Sequence, residues 1–207
     1  MNPELRRAVS EARFATYLAR SNGDATAAWS LYEWNLDIST AFMQPIAAVE
    51  ITLRNALYDA AASPHGRNWL TISPHLRQPE TQKISAARFE LRRRNTTITP
   101  DAIVAELSMG FWVALLTNRY DQTLWRTAFN RAFGRPVQRG PLHDALDRVR
   151  TLRNRVAHHE HLLDRPRRGC RPHRPRSADA LAYRRCLGSV PVDHQPRAST
   201  SARPMKP

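Results

Sequence analysis

The chain has 207 residues, 42% of them hydrophobic, with a formal net charge of +14 and an isoelectric point near 11.2. That length holds one sizeable core, or one domain and a tail, and the apolar fraction is ordinary for a folded soluble protein. No apolar run reaches the roughly 18 residues that a membrane helix needs, and the opening MNPELRRAVSEARF has no apolar signal core, so the expected compartment is the cytoplasm.

Along the chain the pattern is helical. Val9, Arg13, Phe14, Tyr17 and Leu18 begin an amphipathic stretch that stops near Ser21-Asn22-Gly23. Asp24 is placed to cap a second helix opening with ATAAWSLYEW. A third apolar face, Phe42, Ile46, Val49, Leu53 and Leu57, predicts a helix over 39–62, with Pro45 near its start or at a kink and Ser63-Pro64-His65-Gly66 as its break. Pro79-Glu80 starts a helix running to about Arg94, and Thr99-Pro100-Asp101 starts the next. Ser108 is the expected cap of the apolar MGFWVALL, and Asp121 of QTLWRTAFNRAF, which Gly134 ends. Pro141 opens a last helix, read as continuing over 142–163. No period-2 alternation long enough for a strand occurs, so the predicted class is all-α, a helical bundle over 1–164.

Beyond Leu163 the character changes. Residues 165–207 hold 7 of the 15 prolines and carry 11 Lys and Arg against 2 acidic residues, a net charge of +9, which leaves +5 for 1–164. Such a segment buries too little apolar surface to offset its ordering entropy, and is read as a disordered basic tail. A nucleic-acid-binding arm and the product of a shifted reading frame both fit its Arg/Pro composition; the abruptness of the change favours the second.

The last helix carries LRNRVAHHE, residues 152–160. On a helical wheel Leu142, Ala145, Leu146, Val149, Leu152, Val156 and Leu163 form the apolar face. Arg150, Asn154, His158 and His161 line a polar stripe. Arg153 projects toward the apolar face, where an arginine is seldom buried unpaired. Glu50, at the edge of the 39–62 stripe, is its expected partner. Arginine with histidine suits phosphodiester chemistry without a metal. An imidazole exchanges a proton near neutral pH, a guanidinium binds phosphate oxygens bidentately, and in RNA the 2′-hydroxyl supplies the nucleophile.

Six stretches, in order, resemble the Abi-type (abortive infection, AbiD/AbiF-like) proteins of the HEPN superfamily: SEARFATYL (10–18), LYEWNLDIST (31–40), VEITLRNAL (49–57), NWL (68–70), ELSMGFWVALL (106–116) and LRNRVAHHE (152–160). Arg153-Asn154 followed by His158 is similar to the superfamily's R-x4–6-H motif. The resemblance implies an α-helical HEPN fold. It further implies a homodimer in which both motifs face one cleft, and a metal-independent endoribonuclease of the kind that serves as a phage-defence toxin. It assigns Arg153, Asn154 and His158 to catalysis, with His159 as an alternative histidine. Glu50, Arg54 and Asn55, which match E-x-x-LRN, take a supporting role. RNA is then the partner, beside an antitoxin or a phage-derived trigger, and no cofactor is expected. After about Leu162 the chain departs from the family's pattern. The reading from another class is a non-catalytic HEPN module that binds RNA or a protein, or an inactive truncated member.

Other clusters carry weaker meaning. HHEH (158–161) lacks a third ligand at metal spacing, and Cys170, His173, Cys186 and His194 match no zinc-finger spacing, so no metal is expected. Arg92, Arg93 and Arg94 end a helix, where a solvated cationic terminus is the first reading and an RNA-backbone contact the second. Arg150, Arg155 and His161 are further candidate RNA contacts beside the motif. Trp29, Tyr32, Trp34, Phe111 and Trp112 fall at helical spacing and read as core rather than as base-stacking platforms.

Overall fold

The computed structural model describes residues 9–72 and 74–163, and among them every regular element is a helix. The predicted tail, 165–207, lies outside the described residues, as do its cysteines. No described helix is long and apolar enough to cross a membrane.

Helix α1, Glu11–Arg20, is capped by Ser10, whose Oγ accepts the Arg13 N–H at 3.4 Å, and buries Phe14 and Tyr17. Asp24 starts α2 as expected, its carboxylate accepting the N–H groups of Thr26 and Ala27 at 2.9 and 3.2 Å. The two helices predicted after Asp24 are one: α2 runs Ala25–His65, 41 residues, through both Pro45 and Pro64. Proline removes the bond to the carbonyl four residues back. At Pro45 that carbonyl belongs to Ala41, and both residues are exposed, so water can take its place. Phe42 and Ile46, buried on the inner face, hold the two halves in line. The helix ends one turn later than the Ser63-Pro64 signal, at Gly66, whose φ of +81° suits glycine.

Short helices then wrap the far half of α2: α3 Trp69–Ile72, α4 Gln78–Arg93, α5 Pro100–Glu106 and α6 Met109–Ala114. Thr99 caps α5 through the Ala102 N–H at 3.1 Å. Ser108 has N-cap backbone angles at α6 but makes no side-chain cap; a carboxylate from α2, that of Glu50, takes its place. The helix predicted over 121–133 is replaced by a 3₁₀ turn (Asn118–Tyr120), a π turn (Asp121–Trp125) and a 3₁₀ turn (Phe129–Arg131). Asp121 does not cap. It bonds Arg126 at 2.9 Å and Arg139 at 3.1 Å, and Arg139 also donates to the Leu116 carbonyl at 2.8 Å. The tertiary clamp on Asp121 and the burial of Leu124, Trp125 and Phe129 bend this run away from a straight helix. Helix α7, Arg139–Ala157, is the last among the described residues. It stops six residues short of the predicted end, so His158 to Leu163 are not helical.

Two cores result. The larger joins Leu53, Leu57, Tyr58 and Ala61 of α2 to α3–α6, the 118–131 turns and Leu146 of α7. The smaller joins Phe14 and Tyr17 of α1 to Ala28 of α2, with Trp29, Tyr32 and Leu163 against it. Phe111 and Trp112 are fully buried, so the core reading of these aromatics holds, while Trp34 is half-buried. Helix α2 spans both cores, and α7 runs antiparallel to it, from Leu146 in the large core toward Leu163 at the small one.

One buried polar knot ties α4 to the turns. The Tyr120 hydroxyl donates to Glu80 at 2.5 Å and accepts the Arg77 N–H at 3.3 Å. Burial, reinforced by the Glu80 bond, pushes the Tyr120 phenol up to about 12. Tyr120→Phe leaves the Glu80 carboxylate and the Arg77 N–H without this partner, and is expected to cost about 1–3 kcal/mol in urea denaturation.

A half-buried histidine, His65, is expected to make stability pH-dependent. His65 packs edge-on against His75, ring centroids 5.1 Å apart, and its Nε2 is buried with no hydrogen-bond partner. Burial, and then the neighbouring His75, lower its affinity for a proton. The unfolded chain, at the ordinary value of about 6.5, therefore binds the proton first. Stability is full above about pH 6.5 and falls as the pH drops from there through the lower folded value. The urea midpoint is expected to fall between pH 7.5 and 5.5, and to fall less in His65→Phe; an equal fall in both would remove His65 as the cause.

Candidate functional site

Glu50 anchors the motif end of α7, as Asp121 holds its start through Arg139. Glu50 Oε2 lies 3.5 Å from Arg153 Nε, and Glu50 Oε1 accepts the Met109 N–H at 2.9 Å. Glu50 thus supplies the α6 cap that Ser108 does not, and partners the arginine that the helical wheel turned toward the apolar face. The Glu50 side chain is 17% exposed and that of Arg153 38%. Beside it, Arg150 pairs with Asp147 at 2.7 Å within α7. Asn154 is half-buried, and its carbonyl accepts the His158 N–H at 2.9 Å.

The end of α7 shapes the histidines. His158 is the C-cap, and His159 adopts a φ of +53°, the left-handed conformation that glycine usually takes there. The Glu160 N–H bonds back to the Arg155 carbonyl at 2.8 Å and the His159 N–H to that of Val156 at 3.1 Å, the pairing of a Schellman end. The reversal breaks the predicted Arg150–Asn154–His158–His161 stripe, which assumed a helix through 163. The segment beyond the turn is pinned by Asn35, 2% exposed on α2, whose Oδ1 accepts the Leu162 N–H at 2.7 Å. Arg155 closes the loop by donating to the His161 carbonyl, with Glu160 3.6 Å from its Nε.

This turn forms one wall of an open cavity of about 500 Å³ lined by His158, His159, His161, Arg155 and Glu160, and by Arg13, Thr16 and Tyr17 of α1. Its lining holds two guanidinium groups and three imidazoles against one carboxylate, an arrangement that favours an anion. Of the predicted catalytic set, His158 lines this cavity; Arg153 and Asn154 do not. Five positions separate Arg153 from His158, about 140° around a helix, so within one chain they look in different directions.

The remaining predicted residues lie elsewhere. Arg54 and Asn55 line a second cavity of about 340 Å³ with Asp59 and Asp101; Arg54 reaches the Ala105 carbonyl at 3.4 Å, and its Nε is buried without a partner. Of the E-x-x-LRN set, Glu50 pairs with the motif helix. Arg92 is exposed at the end of α4, while Arg93 bonds Glu90 at 2.8 Å and Arg94 bonds Glu106 at 2.9 Å, so two of the three are neutralised. Among the described residues no three His, Cys, Asp or Glu side chains gather as a metal site would require.

Two contributors are not marked as such in the sequence. Arg13 reads there only as part of an amphipathic pattern, and nothing local shows that it faces the histidines. Asn35 does leave a signal, a lone amide on the buried row of α2 with Ser39, Phe42 and Ile46. Comparison of the chain with protein-family models, curated proteins and solved structures gives no match.

Proposed function

We propose that the chain is a metal-independent endoribonuclease of a phage-defence system, acting as a homodimer. The observation that carries this reading is the cavity in which the motif's His158 meets His159, His161, Arg155 and Arg13. The likeness of the LRNRVAHHE stretch to HEPN motifs supports it from the sequence side. In the proposed reaction His158 takes the proton of a ribose 2′-hydroxyl, and the 2′-oxygen forms a bond to the adjacent phosphorus. The bond from phosphorus to the 5′-oxygen breaks, and that oxygen leaves with a proton from a second imidazole of the cavity, His159. The products are a 2′,3′-cyclic phosphate and a 5′-hydroxyl end.

Arg153 is assigned to the scissile phosphate and Asn154 to its positioning. The 3.5 Å contact with Glu50 and the 38% exposure of Arg153 leave guanidinium N–H groups for a phosphate. Because Arg153 and His158 diverge in one chain, the assignment requires a second protomer, with an antitoxin or phage-derived trigger controlling it. The same divergence favours the second reading, a module that binds RNA or a protein without cleaving it. The two part on one experiment: total RNA incubated with the full chain in EDTA, with product ends identified. Cleavage to cyclic phosphate ends, absent with 2′-deoxy substrate, is the expected result; intact RNA that still binds supports the module.

A further inference from the structure

The wall of the histidine cavity opposite the motif belongs to α1, and it presents a cation that no described partner occupies. We propose that Arg13 is the phosphate-binding residue of this cavity, holding an RNA strand against His158 and His159. The proposal rests on the RNA-directed reading and adds to it a residue outside the motif helix.

The cations around the motif differ in what they already hold. Arg150 is bonded to Asp147, Arg153 faces Glu50, and Arg155 holds the His161 carbonyl with Glu160 beside it. The exposed Arg13 guanidinium makes no hydrogen bond or ion pair with a described residue. Its charge sits at the Tyr17 end of the cavity: burial and then Tyr32 raise the Tyr17 phenol, and Arg13 pulls it down. Thr16, three residues along on the same wall, offers a hydroxyl to a second phosphate oxygen. A free guanidinium binds a phosphate bidentately and stays charged at every working pH, so Arg13 acts in binding and not in proton transfer. An open cavity of about 500 Å³ falls in the range of small-ligand sites. It therefore suits a nucleotide of an extended single strand, with the imidazoles at the adjoining ribose and phosphate.

The test separates binding from cleavage by using a fluorescent 2′-O-methyl RNA, which has no free 2′-hydroxyl to attack. In anisotropy titrations Arg13→Gln is expected to bind about tenfold more weakly than wild type, with the salt slope reduced by about one phosphate contact. Arg13→Lys should recover part of the loss, and Lys83→Ala on α4 should bind as wild type. Glutamine suits an exposed helix position, and circular dichroism checks the fold. A second measurement needs no variant: the Arg13 Nε–H and the His158 and His159 ring-proton resonances of wild type should shift together as this RNA is added. Wild-type binding with an unchanged Arg13→Gln affinity, or with a stationary Arg13 resonance, overturns the proposal and leaves the RNA-directed reading standing. If wild type binds no RNA and leaves unmodified RNA uncut, that reading fails and the proposal falls with it.

Discussion

Replacing Glu50 with alanine is expected to lower stability by about 2–3 kcal/mol. Two groups lose their partner at once. The Met109 N–H, at the start of α6, loses a charged acceptor, a loss of about 1–2 kcal/mol. Arg153 loses its carboxylate; its 38% exposure lets water screen the charge, so this part adds only about 1 kcal/mol. Glu50→Gln keeps an acceptor for Met109 and removes only the charge, so it should cost about half as much. Urea denaturation of both variants decides the matter. Equal losses would mean that the ion pair dominates, and a loss under about 0.5 kcal/mol in both would mean that the bridge does not hold the motif helix.

His158→Ala should slow RNA cleavage by about 10²–10⁴-fold, the usual contribution of a positioned proton-transfer group. Stability should change by less than about 0.5 kcal/mol, because His158 is an exposed C-cap whose side chain packs against no core. Binding of uncleavable RNA should hold near the wild-type value. This pattern separates His158 from Arg13, whose loss weakens binding first, and from Glu50, whose loss acts through folding. Cleavage by His158→Ala at the wild-type rate would transfer the proton-transfer role to His159 or His161, or exclude the cavity altogether.

Much of the local structure was legible because its causes are local. Asp24 and Thr99 cap the helices that they precede, since a short acceptor side chain satisfies the first free N–H groups wherever it stands there. Pro79 sits in the first turn of α4 for the same kind of reason. The Glu50–Arg153 pair was also within reach: an arginine on an apolar face needs a carboxylate, and one stood at the edge of the neighbouring stripe.

The site itself was only half legible. The motif and its helical wheel marked His158 and Arg153 and set them on different faces, but not that His158 stands in a turn with His159 and His161 against α1, because the wheel carried the helix on to 163. Helical periodicity says which residues share a face and not where the helix stops. Here the stop is made by His159 in a conformation that composition favours for glycine, and by the Asn35 amide, 127 positions away from Leu162 in the chain. Pro45 shows the converse: a residue that locally breaks helices sits inside one, because buried neighbours on both sides outweigh one missing hydrogen bond.

By itself, then, the sequence determined that the described part of the protein is helical, where most helices begin, and which side chains are the candidates for acid–base and phosphate-binding chemistry. Those properties arise from nearest neighbours and from a period of 3.6 residues. Only the tertiary structure decided that α2 is continuous, that a carboxylate on α2 and not Ser108 caps α6, and that Arg13 faces the histidines. Each of these depends on groups far apart in the chain, whose meeting is set by how two cores pack along one long helix.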